Sequence, residues 1–170
     1  MRVLLVLTAL IASEPVQAGM FNAPPAHYYG PMQKGVGYKN STTKDGYLKI
    51  EAESRRIDGS DFATDSALYR AAEMARAGGY RFVEMHDGYA TSGRLGESVT
   101  VFALPTNSAV HPSRCRSGKP NRCYTADVSA VMKVLSGTSG NQPGVAAPHH
   151  IDEFGRTVII SGFGTGAIQP

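Results

Sequence analysis

The chain has 170 residues, 17 Lys and Arg against 14 Asp and Glu, and a net charge of +3. That length holds one domain with a modest core, and the mild charge argues against a nucleic-acid binder. There are 19 Gly and 10 Pro but no Trp, and two cysteines, so one compact domain with irregular ends is expected.

The first element is an export leader. Arg2 supplies a positive start, and residues 3–12 are apolar apart from Thr8. Ser13-Glu14-Pro15 ends the run, and Val16-Gln17-Ala18 offers a peptidase site before Gly19. This is the layout of a secretory signal peptide, residues 1–18. The apolar run is about half the ~20 residues a membrane span needs. No later segment is apolar enough either, so the mature chain is expected to be soluble with no transmembrane segment.

Residues 19–45 show no apolar period and read as an extended leader. A folded domain is expected over 46–136. It opens with "YLKIEAESR", where Leu48, Ile50 and Ala52 alternate with Lys49, Glu51, Glu53 and Arg55, a half-buried strand. "TDSALYRAAEMARAGGY" predicts a helix capped by Thr64 or Asp65. Its apolar stripe is Leu68, Ala71, Ala72 and Ala75, Glu73 can pair with Arg70 or Arg76, and Gly78-Gly79 ends it. So small a stripe suits a helix lying close against a sheet. "YRFVEMH" predicts a second strand, ended by Asp87-Gly88 as a tight turn. "YATSGRLGE" reads as loop or frayed strand, and "SVTVFALP" as a third strand stopped by Pro105. The fold class expected is α+β: a small mixed or antiparallel sheet with a β-α-β-β core, the first two strands parallel in one sheet.

Next comes "CRSGKPNRC", bounded by Cys115 and Cys123. In an exported chain an even cysteine count points to a disulfide. A zinc site needs about four ligands, and no His lies between these two. A local staple is expected, stabilising the fold by roughly 2–3 kcal/mol. Arg114, Arg116, Lys119 and Arg122 make the loop basic, with no acid between Pro112 and Tyr124. A closed basic loop is pre-organised for an anion, so it is the candidate contact surface. "TADVSAVMKVLSG" then predicts a second helix, capped by Thr125 or Asp127, burying Val128, Val131, Met132 and Leu135. Residues 137–170 read as linker, a short strand "RTVIIS" able to join the sheet edge, and a Gly-rich tail.

Catalytic patterns are weak. His149, His150, Asp152 and Glu153 are good metal ligands by type, but adjacent histidines face opposite ways in an extended chain. A polar linker is expected there. His86, Asp87 and Ser92 supply the residue types of a hydrolytic triad, without a nucleophile-elbow motif. "GFGTG" at 162–166 has too little chain behind it for a dinucleotide-binding helix. No catalytic residue and no cofactor is expected.

The Arg-Ala-Ala-Glu helix at 70–73, the Gly-Tyr-x-Phe strand entry at 79–82, and Gly-Lys-Pro followed by a Tyr-x-Ala helix start at 118–126 carry a resemblance. Over residues 46–135 the chain resembles a family of small, uncharacterised proteobacterial envelope lipoproteins. The resemblance implies a periplasm-facing α+β domain and supplies no activity. The chain departs from it at Gly19, where the lipid-accepting Cys would stand. The expected function is a non-catalytic periplasmic binding or structural module. Its expected partners are anionic envelope components or another periplasmic protein, and not nucleic acid. Two alternatives are an inhibitor or immunity-type protein of an envelope hydrolase, and a metal-dependent enzyme using residues 149–153.

Overall fold

The computed structural model describes residues 23–59, 61–119, 122–136, 150–151 and 157–158. The expected signal peptide, the linker from 137, most of the 149–153 cluster and the Gly-rich tail lie outside the described residues.

Among the described residues, β1 (Gly37–Thr42), β2 (Leu48–Arg55), β3 (Phe82–Ser92), β4 (Gly96–Thr106) and β5 (Cys123–Asp127) form one sheet in the order β1-β2-β4-β3-β5. Every pairing in it is antiparallel. Helix α1 (Phe62–Ala77) lies on β4, β2 and β3, and α2 (Val128–Leu135) packs against α1. The protein is a small α+β domain.

The expected parallel pair, β2 and β3, runs in one direction, but β4 sits between them and is antiparallel to both. The unit is a split β-α-β. The expected leader also yields part of the sheet: residues 37–42 form the edge strand β1, which pairs with β2 from Gly37↔Glu53 to Thr42↔Leu48.

Two turn expectations are corrected. Asp87-Gly88 does not end β3; it is a β-bulge. Register jumps from His86↔Phe102 to Tyr89↔Thr100, so Asp87 and Gly88 together face Val101. The hairpin turn comes later, where the Gly93 N–H donates to the Gly96 carbonyl at 2.8 Å. Pro105 does not stop β4 either. The register with β2 ends at Ala103, so Pro105 has a strand on one side alone, against Val83, and its missing N–H is tolerated.

The core lies between α1 and the sheet. Ile50, Ala52, Val83, Val99, Val101 and Ala103 point toward the helix and are buried. The helix answers with Ala67, Leu68, Ala71, Ala72 and Ala75, each nearly solvent-free. Small alanines let α1 approach closely, as the sequence pattern implied. The helix starts earlier than expected, at Phe62, with Asp61 at the N-cap position and no side-chain capping bond. Its C-terminal end is as expected: the Gly79 N–H bonds the Arg76 carbonyl. Arg70 pairs with Glu73 at 3.2 Å. Glu73 also accepts the Tyr29 hydroxyl, whose ring stands edge-on to the buried Tyr69 at 5.5 Å. Residues before β1 therefore pack against the flank of α1 next to β1. Burial, and then the Glu73 carboxylate, push the Tyr29 hydroxyl pKa far up.

In α2, Asp127 is the cap and accepts the Ala130 N–H at 2.9 Å. Val128, Val131, Met132 and Leu135 are buried as expected. The strand expected in "RTVIIS" does not join the main sheet. β7 (Thr157–Val158) pairs with β6 (His150–Ile151) in a separate two-stranded sheet.

Candidate functional site

Cys115 and Cys123 form the disulfide, their Cα atoms 5.3 Å apart and both side chains buried. Cys123 is the first residue of β5 and pairs with His86 on β3, so the staple hangs the loop from the sheet edge. Several bonds then pin the loop. Thr125 Oγ1 donates to the Val110 carbonyl at 2.7 Å. The Arg116 N–H donates to His86 Nδ1 at 3.2 Å, and the Ser117 N–H donates to the Asp87 carboxylate. The Asp87 N–H donates to the Arg122 carbonyl at 2.8 Å.

The bulge explains why Asp87 reaches the loop. Its backbone has φ +43°, a left-handed conformation that Asp tolerates better than most residues. His86 is buried, and its Nδ1 accepts the Arg116 N–H. Its hydrogen therefore sits on Nε2, 3.0 Å from Glu84 Oε2. The residue types of a hydrolytic triad are thus used differently. His86 bonds Glu84, Asp87 bonds the loop backbone, and Ser92 stands at the far end of β3, beyond the bulge.

The basic side chains do not gather in one patch. Arg116 folds back over the sheet face opposite α1. Its guanidinium lies 3.9 Å above the Phe102 ring and 5.8 Å from that of Tyr47, and Nε meets Asp45 Oδ2 at 3.2 Å. The Thr43 hydroxyl, with Arg116 adding its charge, holds the Asp45 carboxyl below its ordinary range. Arg122 sits instead on the other side of the staple, at the mouth of a pocket facing α1. Arg114 and Lys119 are solvent-exposed.

That pocket was not foreseen. It has a volume of about 370 Å³ and lies between the first turns of α1 and strands β3, β4 and β5. Its apolar floor includes Leu68, Met85, Val99 and Val101. Phe102 was also missed, although the pattern held a hint. Phe102 and Leu104 place apolar residues on the second face of a strand whose first face is already Val99-Val101-Ala103. Asp45 and Glu84, distant or polar in sequence, carried no such signal.

Of the metal candidates, His150 has its backbone in β6, while His149, Asp152 and Glu153 lie outside the described residues. Among the described residues, no group of three or more His, Cys, Asp or Glu is arranged to hold a metal ion. No helix among them is long and apolar enough to cross a membrane.

No protein-family model, no curated protein and no solved structure matches this chain.

Proposed function

We propose that this chain is an exported periplasmic protein of the cell envelope that acts as a binding or structural module, with the disulfide loop as its contact surface. The observation that carries the reading is the Cys115–Cys123 staple itself. Such bonds form and persist in oxidising compartments, and the leader at 1–18 points to the same destination. The resemblance to envelope lipoproteins agrees with both. The loop is pre-organised by the staple and by its bonds to His86 and Asp87, so engaging a partner costs little further ordering. Arg114 and Lys119 are its outward cations, suited to phosphate groups of envelope lipids or an acidic protein face.

The test uses the full-length chain in a Gram-negative host. Cell fractionation with thiol trapping is expected to find it in the periplasm, cleaved before Gly19 and fully oxidised. Purified protein is expected to co-sediment with phosphatidylglycerol vesicles, and Arg114→Gln/Lys119→Gln to lose most of that association. Reduced protein retained in the cytoplasm would overturn the compartment. Sedimentation unchanged in the double variant would overturn the loop contact.

A further inference from the structure

We infer that the pocket between α1 and the β3 bulge binds the hydrocarbon chain of a free single-chain carboxylate amphiphile, with its head group on Arg122. This inference stands on the pocket alone and does not require the envelope reading.

The bulge creates the space. Asp87 and Gly88 together oppose Val101 where regular pairing would place one residue. Gly88 has no side chain to cover the gap: a Cβ there would lie 3.6 Å from Val101 Cγ2, in ordinary contact. Leu68, Met85, Val99 and Val101 line the pocket and are each at most 5% exposed, so its deep wall is apolar. Tyr124 closes one side, and burial pushes its hydroxyl pKa well above the ordinary value. The mouth is edged by Tyr89, 58% exposed, with Ala90 and Thr64.

Charge selects the head group. The lining residues include one carboxylate and one guanidinium. The carboxylate, Asp87, already accepts the Ser117 N–H. Arg122 makes no ion pair among the described residues. The backbone of Arg122 is held beside the pocket by its bond to Asp87 and by the neighbouring disulfide. A cation whose backbone is anchored at the rim of an apolar hollow matches an anion at the end of an apolar chain. At about 370 Å³ the hollow is near the small end of ligand sites. It fits one chain and excludes the paired chains of a phospholipid.

Calorimetry of the oxidised chain with octanoate, decanoate and dodecanoate tests this. Affinity should rise about fourfold per added methylene until the pocket is full, then level off. Gly88→Leu fills the hollow from the bulge and should weaken decanoate at least tenfold while leaving the urea midpoint unchanged or higher. Arg122→Gln should weaken decanoate about tenfold and leave decanol unchanged. If Gly88→Leu does not fold, contacts between decanoate protons and the Leu68 and Met85 methyls in NMR spectra of the unaltered protein decide the matter. No saturable binding, binding indifferent to Gly88→Leu, equal loss of acid and alcohol in Arg122→Gln, or uptake confined to phospholipid vesicles would each overturn the proposal.

Discussion

Replacing both Cys115 and Cys123 by Ala opens a ring whose ends are eight positions apart in sequence. For so small a ring, the loop-closure entropy removed from the unfolded chain stabilises the fold by about 2.6 kcal/mol. The contacts from Arg116 and Ser117 to His86 and Asp87 are made by other groups and remain available in the variant. The loss should therefore arise mainly in the unfolded ensemble, with the folded sheet unaltered. Urea unfolding followed by far-UV circular dichroism, on oxidised protein, reduced protein and the double variant, measures it. Reduced protein and variant should coincide, about 2.6 kcal/mol below the oxidised protein and roughly 10 °C lower in Tm. A difference under about 1 kcal/mol would refute the entropic argument. A loss well beyond the few kcal/mol that ring closure can supply would instead mean that the folded loop cannot hold its seat without the bond.

Gly96→Ala would place its Cβ 1.8 Å from the Ser54 carbonyl oxygen, where β4 meets β2. A loss of about 3 kcal/mol or more is expected, read as faster amide exchange along both strands; unchanged exchange would sink the idea. Leu135→Ala empties a fully buried site at the end of α2 and should cost about 2–5 kcal/mol in thermal unfolding. A cost below that range would mean α2 is not part of the cooperative unit. Burial works to raise the Asp58 pKa, but the N–H groups of His27 and Arg55 and the Arg55 guanidinium outweigh it and hold the carboxyl below its ordinary range. The stability this provides is complete above the unfolded pKa of about 4 and is lost as pH falls through the lower folded value. Asp58→Asn should be less stable at pH 7 and should lose less stability than the native chain below pH 4; parallel urea-midpoint profiles would contradict it.

The local grammar of the chain was readable without a structure. The alternation in "YLKIEAESR" set the inward face of β2, and the stripe from Leu68 to Ala75 set that of α1, because strand and helix periods map directly onto burial. Short-range chemistry named the staple and narrowed the α2 cap to Thr125 or Asp127 and the Glu73 partner to Arg70 or Arg76; the fold then chose Asp127 and Arg70.

Pairing choices made far along the chain were decided only in three dimensions. That β4 slots between β2 and β3 cannot be read from any window of either strand. Nor can the recruitment of residues 37–42 as an edge strand, since that strand's neighbours lie in the rest of the sheet. Asp87-Gly88 reads as a turn locally, and β4 makes it a bulge by continuing to pair beyond it. From that tertiary event follow the seat of the disulfide loop on Asp87, the separation of Arg116 from Arg122, and the hollow over Val101. Residue type and spacing determine which groups a segment can offer. Packing against distant strands determines which of them are spent holding the fold and which still face a ligand.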